Sequence, residues 1–439
     1  MTTQLASGTT PGTVPVWSAG ADPLTAVLRG EVARRVAASG AAPSGQERAD
    51  RVHGFVQAVL DEHARRELAD GRAALSPPKE KAIARAIADS LIGMGGLQPL
   101  LDDPTISNIF INGSVVWVTR TDGRKEQLPP VAGSSEELIE LVRDIAARAG
   151  TDERRFDRGV PKVSVRLPDG SRLFATMLSR EPSVSIRRHT LLRTSLQQLA
   201  LDNGAMPGGM VSLFSAMVRA RKNIIICGGT NSGKTTFLRA LAREIPPQER
   251  LVTIEDTDEL ALDQDPDHPD CIALQAREAN IEGEGAIDQA ELVRWGLRMA
   301  PDRVILGEAR GGEVIPLLNA MSQGNDGSLA TIHTSSSRQA FVRLQTYAAQ
   351  AAERLPFEAT APLIAGAVHF VVHLDWAPDR KRVVSSVREV LHHEGADVIS
   401  NELFRPGFDR RAQPATPLRS DTLDQLTAAG FRPELIEGW

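Results

Sequence analysis

Gly228-Gly229-Thr230-Asn231-Ser232-Gly233-Lys234-Thr235 stands directly after the apolar run Ile224-Ile-Ile-Cys227 and before Phe237-Leu-Arg-Ala-Leu241, which has the pattern of an amphipathic helix. The spacing G-x-x-x-x-G-K-[ST], set between a strand and a helix, predicts a loop that cradles phosphate. Glycines let the backbone curl until successive N–H groups point inward at phosphate oxygens, and the helix adds its positive N-terminal end. The lysine reaches the β- and γ-phosphates as a point charge, and the threonine hydroxyl after it ligates Mg²⁺. The nucleotide-binding candidates are therefore Gly228, Gly229, Thr230, Asn231, Ser232, Gly233, Lys234, Thr235 and Thr236. Cys227, at the end of the strand, reads as a packed small hydrophobe rather than a reactive thiol.

Around this loop strands alternate with helices. Leu251-Val-Thr-Ile254 and Arg303-Val-Ile-Leu306 are short apolar runs of the kind found in buried central strands, with helices at 235–244, 287–299 and 313–321. The alternation predicts an α/β sheet, mainly parallel at its centre. Each run ends in carboxylates: Glu255, Asp256 and Glu259 after the first, Glu308 after the second. Either cluster alone reads as a solvated turn. Together, on one sheet with a phosphate loop, they read as groups that hold Mg²⁺ and an in-line water. A third segment, Gly324-Asn-Asp-Gly-Ser-Leu-Ala-Thr331-Ile-His333, forms a glycine loop and a short strand, so Thr331 or His333 is a candidate sensor of the γ-phosphate. His369 and His373 share a face of another strand, and without a third ligand type they read as ordinary strand residues.

Further out, residues 1–22 are rich in Thr, Gly, Pro, Ala and Ser and read as a disordered lead, and 23–92 read as an appendage of three short helices. Residues 93–190 read as an α+β domain. Its strands meet at turns such as Asn112-Gly113 and Pro168-Asp169-Gly170, and a helix begins near Ser134 or Ser135. A polar helical linker (191–208) leads to the α/β domain (209–405), and a tail (406–439) ends in a helix at 420–429.

Composition narrows the partners. With 41% hydrophobic and 24% charged residues, the 439-residue chain is globular and long enough for several cores. Fifty basic against 56 acidic residues give a net charge of −6, which disfavours a general nucleic-acid binder. The dispersed tryptophans offer no stacking platform for single strands. Two cysteines suit a reducing cytosol. The N-terminus lacks the basic start and apolar core of a secretory signal. The longest apolar run, Ala361 to Leu374, is too short to span a bilayer, so contact with a membrane is expected only through partners.

The order of these motifs resembles the type II/type IV secretion ATPase superfamily, and within it the CpaF-like branch that powers Tad (Flp) pilus assembly. The resemblance runs from about Gly93 to Phe404 and is strongest in IDQAELVRWGLRMAPDRVILGEARGGE (287–313) followed by GNDGSLATIHTSS (324–336). It implies a RecA-like P-loop ATPase domain behind a small PAS-like α+β domain and a helical appendage. It also implies ATP and Mg²⁺ as cofactors, a homohexameric ring, and a cytoplasmic motor acting on inner-membrane platform proteins of a pilus or secretion system. Lys234 and Thr235 match Walker A. Glu255, Asp256 and Glu259 match the E-D-x-x-E aspartate box, whose last glutamate orients or activates water. Glu308 matches the Walker B glutamate, and His333 the histidine of the His box. Thr235, Glu255, Asp256 and Glu308 would form the magnesium set, the carboxylates through water. Arg172, Arg187 and Arg188 resemble arginines of the N-terminal domain that reach the nucleotide on domain closure; as bare sequence they are equally strand-end surface charges. Asn231, Asn325 and Ala300 depart from the glycine, histidine and basic residue common at those places, which puts turnover rate in question. A conjugative or effector-exporting type IV secretion ATPase has the same motifs, and a nucleotide-binding regulatory subunit with negligible turnover is a third reading.

Overall fold

A computed structural model of the chain describes residues 22–40, 45–148, 155–188, 194–201, 203–257, 259–277, 279 and 284–436. Nearly all of the predicted lead lies outside them; Asp22, its last residue, caps the first helix by accepting from Leu24 N at 3.0 Å. The chain folds as two units, Met1–Thr190 and Leu191–Trp439.

The first unit opens with helices α1 (Pro23–Ala38), α2 (Gly45–Ala69) and α3 (Pro77–Leu91), which bury Leu28, Val32, Val56, Leu60, Ile83 and Ile87 against one another. Proline in the first turn of α1 and of α3 costs no hydrogen bond there. After α4 (Gln98–Asp102) come β1 (Ile106–Asn112), β2 (Val115–Arg120), β3 (Lys125–Leu128), α5 (Ser135–Arg148), β4 (Lys162–Arg166), β5 (Arg172–Thr176) and β6 (Ser183–Arg187). They build one antiparallel sheet in the order β3-β2-β1-β6-β5-β4. Period-two alternation sends Ile109, Ile111, Val118, Leu173, Val184 and Ile186 inward with Leu138, Val142 and Ile145 of α5. The capping residue of α5 is Ser134, whose Oγ accepts from Glu137 N at 3.1 Å.

The second unit contains α6 (Leu196–Leu201), α7 (Gly209–Arg219), β7 (Ile224–Gly228), α8 (Lys234–Ala242), β8 (Leu251–Glu255), β9 (Cys271–Gln275), α9 (Gln289–Gly296), β10 (Arg303–Ala309), α10 (Val314–Ser322), β11 (Leu329–His333), α11 (Ser337–Gln350) and α12 (Phe357–Ala367), followed by β12 (Phe370–Trp376), β13 (Arg382–Glu394), β14 (Asp397–Pro406), β15 (Ala412–Pro414) and α13 (Ser420–Ala428). Its nine strands run β15-β14-β13-β12-β7-β11-β10-β8-β9. From β12 to β9 every neighbour is parallel, and from β12 outward through β15 every pairing is antiparallel. Both faces are covered: Ile224 and Ile226 of β7 pack with α7, α8 and α13, whereas Ile225 and Cys227 pack with α9, α10, α11 and α12. This is an α/β fold.

One feature differs from the sequence-based expectation. Residues after 406 do not hang as a tail: β15 extends the sheet, and Leu418, Leu426, Phe431 and Ile436 join the core of α7. The apolar run 361–374 divides between α12 and β12, the central neighbour of β7. Among the described residues no helix is long and apolar enough to cross a membrane.

Candidate active site

Because β7, β8, β10 and β11 are parallel, their carboxyl ends open on one edge of the sheet, where ligands of such folds bind. The loop after β7 lies at the centre of that edge, with Gly228 in register with His333 on one side and Leu374 on the other. A Cβ on Gly228 would collide with the Leu374 carbonyl oxygen, so only glycine lets the loop leave the strand here. Gly233 caps α8 in the left-handed region at φ 93°, and no side chain caps the helix, so its first N–H groups remain available to an anion. The Ser232 hydroxyl, buried in the same loop, has no hydrogen-bond partner among the described residues. Asn231 also takes a positive φ, 62°, a conformation asparagine tolerates better than most residues.

Lys234 is buried, and its ammonium turns back on the loop, donating to Gly228 O at 3.2 Å and Gly229 O at 2.8 Å. It also lies 3.2 Å from His333 Nδ1. His333 Nε2 is 2.8 Å from Glu308 Oε1, an arrangement that suits the tautomer with its proton on Nε2. Glu308 in turn receives Arg310 Nη2 at 2.6 Å, and Arg310 Nη1 donates to Asp256 Oδ2 at 2.7 Å. A continuous chain of charged and polar groups thus joins the lysine of the loop to the ends of β11, β10 and β8. Burial opposes the charge on Arg310, but the carboxylates of Glu308, Asp256 and Glu259 outweigh it and raise its pKa. Arg310 has no role in the sequence-based expectation, although it stands two residues after Glu308, just past the end of β10.

Glu308 owes its aim to a bulge. Between Leu306 and Ala309 of β10 the register with β11 gains one residue, and the Thr331 hydroxyl donates to Gly307 O at 2.6 Å. Thr331 is therefore buried behind the bulge, so of the two candidate sensors only His333 reaches the cradle. Gly307 is required for another reason: a Cβ there would lie 2.7 Å from Cγ of Glu255.

Glu255 departs from its expected place in a magnesium set. It is buried; its Oε1 accepts from Glu259 N and Leu260 N, each at 3.1 Å, and burial pushes its carboxyl up to about 7. It shapes the turn that carries Glu259 instead of presenting a free carboxylate. Asn325 donates to Pro301 O at 2.6 Å in the loop ahead of β11, and Ala300, left-handed at φ 51°, precedes β10. Both departures lie at the amino ends of the strands, on the edge away from the cradle. Burial pushes the Cys227 thiol up to about 12, in keeping with an inert packing role. His369 accepts from Asn223 N at 2.9 Å, and no group of metal-ligand residues occurs among the described residues.

In the first unit the three candidate arginines separate. Arg172 and Arg187 are cross-strand partners on the face of the sheet turned away from its core, and Arg166 pairs with Arg172 in the same row. Beside them runs a row of exposed aromatic residues, Trp117, Phe110 and Phe174, which sequence reading missed because the three lie on three different strands. Arg188 is the exception. Its guanidinium donates to the carbonyls of Asp103 and Ile106, tying the end of β6 to the start of β1. The resemblance groups Arg187 with Arg188, but adjacent residues of an extended chain point opposite ways, so the two side chains do not share a face.

A family model described as type II/IV secretion system protein matches residues 94–379. The chain belongs to this family of secretion ATPases. As a member it is a P-loop enzyme that binds and hydrolyses ATP. It is similar to a protein of Mycobacterium tuberculosis provisionally named a conjugal transfer protein, with 34% identity over 322 residues, 71% of this chain and 88% of that protein. It is also similar to the type IV secretion system protein VirB11 of Brucella suis, with 32% identity over 335 residues, 68% of this chain and 88% of that protein. The crystal structure of the Brucella suis VirB11 ATPase in complex with sulphate covers 67% of this chain and 92% of its own, at 29% identity and a TM-score of 0.37.

Proposed function

We propose that this secretion ATPase is the cytoplasmic motor of a conjugative or VirB11-like type IV secretion machine, working as a homohexamer on inner-membrane platform proteins and touching neither membrane nor nucleic acid directly. What carries the catalytic part is the chain Lys234–His333–Glu308, which links the phosphate loop to the carboxylates of the neighbouring strands. The amides of 228–236 hold the β- and γ-phosphates, and the Lys234 ammonium leaves the carbonyls of Gly228 and Gly229 for them. Magnesium, when bound, neutralises charge between the two phosphates; Thr235, with Glu308 and Asp256 through water, are the residues suited to hold it. Glu259 orients the attacking water and takes its proton, while His333 reports the γ-phosphate to Glu308. Arg172 and Arg187 are the arginines we assign to offsetting charge on a γ-phosphoryl group.

The similarity to conjugal-transfer and VirB11 proteins favours this reading over Tad pilus assembly, which rests on the resemblance of 287–313 and 324–336 alone. Pilin and prepilin-peptidase genes beside this one would restore the pilus reading; a relaxase gene would exclude it. Steady-state phosphate release tests the chemistry. Glu259→Gln is expected to retain nucleotide while turnover falls at least about a hundredfold. Hydrolysis at the wild-type rate would remove Glu259 from the mechanism.

A further inference from the structure

Arg382 opens β13, 151 residues after Asn231 of the phosphate loop, yet its Nε donates to Asn231 O at 3.0 Å and its Nη2 lies 3.4 Å from Asn231 Oδ1. The guanidinium rests 4.9 Å from the ring centroid of Trp376, its cross-strand partner at the turn end of the β12–β13 hairpin. Arg382 Cδ also lies 3.1 Å from the point where Gly233 would carry a Cβ, so the side chain spans both left-handed residues of the loop. The hairpin that supplies it is itself anchored. β12 pairs with β7 through Leu374 and Gly228, Asp375 accepts from Arg410 at 2.9 Å, and Asp379 from Arg411 at 2.8 Å.

We propose that Arg382, held on Trp376, is a positioning residue for nucleotide binding: it clamps Asn231 and keeps the amides of the loop facing the phosphates. The logic is that of any amide cradle. N–H groups can converge on an anion only if the alternating carbonyls point out, and an outward carbonyl is stable where something donates to it. Arg382 donates to the outward carbonyl of Asn231, and its second contact holds the side chain of a residue whose backbone is in a sparsely populated region. Its rigid fork suits two acceptors at fixed spacing, which an ammonium cannot match. Because it grips the loop and not the reacting phosphate, its effect falls equally on ground and transition states.

The inference rests on nucleotide binding at this loop, so titration of the wild-type full chain with MgADP comes first; absence of binding there would overturn both readings. Given binding, Arg382→Ala is expected to raise the dissociation constant about tenfold and KM for MgATP in parallel, with kcat within about twofold of wild type. Trp376→Leu, which removes the platform and leaves the arginine, is expected to raise the constant about threefold, and Arg382→Lys to recover less than half of the loss in free energy. Arg382 and Trp376 are both exposed, so the melting temperature is expected to hold in all three variants. A dissociation constant for Arg382→Ala within twofold of wild type would overturn the proposal. So would a fall in kcat with affinity unchanged, which would place the guanidinium on the transferring phosphate, or full rescue by lysine.

Discussion

The phosphate cradle and the open sheet face of the first unit both display basic groups, but they are held in opposite ways. Lys234 is buried and contacts two carbonyls and a histidine, which in turn belongs to a line of carboxylates. Arg172 and Arg187 stand in register on an exposed surface, beside aromatic side chains and without an ion pair among the described residues. The first site is over-determined within its own unit. The second is a set of charges whose geometry is fixed by strand register alone. A site of the first kind is preorganised for its ligand, whereas one of the second kind acquires its function from what is brought to it.

The largest expected effect tests the over-determined side. Lys234→Ala removes the only basic side chain of the loop and its link to His333, so ATP hydrolysis is expected to fall by more than about a thousandfold. Retention of substantial phosphate release would mean that the cradle is not the catalytic centre. The next effect tests the open side. Arg187→Ala and Arg172→Ala are each expected, on the proposed function, to lower kcat about a hundredfold with little change in MgADP affinity, since in that role they would meet only a developing charge. Arg188→Ala provides the contrast within the same two residues of sequence. It loses hydrogen bonds to two backbone carbonyls and is expected to cost about 1–2 kcal/mol of stability, with kcat per folded molecule unchanged. If Arg188→Ala abolished turnover while Arg187→Ala did not, the separation of the pair by strand register would be the wrong basis for assigning them.

How much could be read from the sequence follows the same division. The cradle was legible because a phosphate loop is a local device: strand, glycines, lysine and helix lie within about twenty residues, and each residue type has one physical reason. Glu308 and His333 were legible because parallel strands end on one edge, so any residue at the end of an apolar run is a candidate. What escaped was set by contacts distant in the chain. Nothing in the sequence around Arg382 points to Asn231, and the row of Trp117, Phe110 and Phe174 appears only once four strands are in register. β3 escaped because Lys125–Leu128 is a polar edge strand with no apolar alternation to detect. Leu418, Leu426 and Phe431 are spaced too widely in the sequence to announce that they cover α7.

Glu255 offers the finest test, since it is the residue on which sequence and structure differ about the kind of work done. A carboxylate in a magnesium set should be ionised at neutral pH, whereas burial between β8 and β10 pushes this one up to about 7, above the 4.5 of an ordinary glutamate. The folded chain therefore holds the proton more tightly than the unfolded chain does. The stability associated with Glu255 is fully present below about pH 4.5 and is lost as pH rises through about 7. Glu255→Gln keeps an oxygen for the amides of Glu259 and Leu260 and removes the ionisation. Between pH 5 and pH 8 wild type is expected to lose about 2 kcal/mol relative to the glutamine variant, measured as the difference in their melting temperatures at each pH. The variant should also retain Mg²⁺-dependent turnover at pH 7, because the neutral form is already well populated there and supports the turn that carries Glu259. A pH-independent difference in stability together with loss of magnesium dependence would return Glu255 to the metal and leave the turn without its buried support.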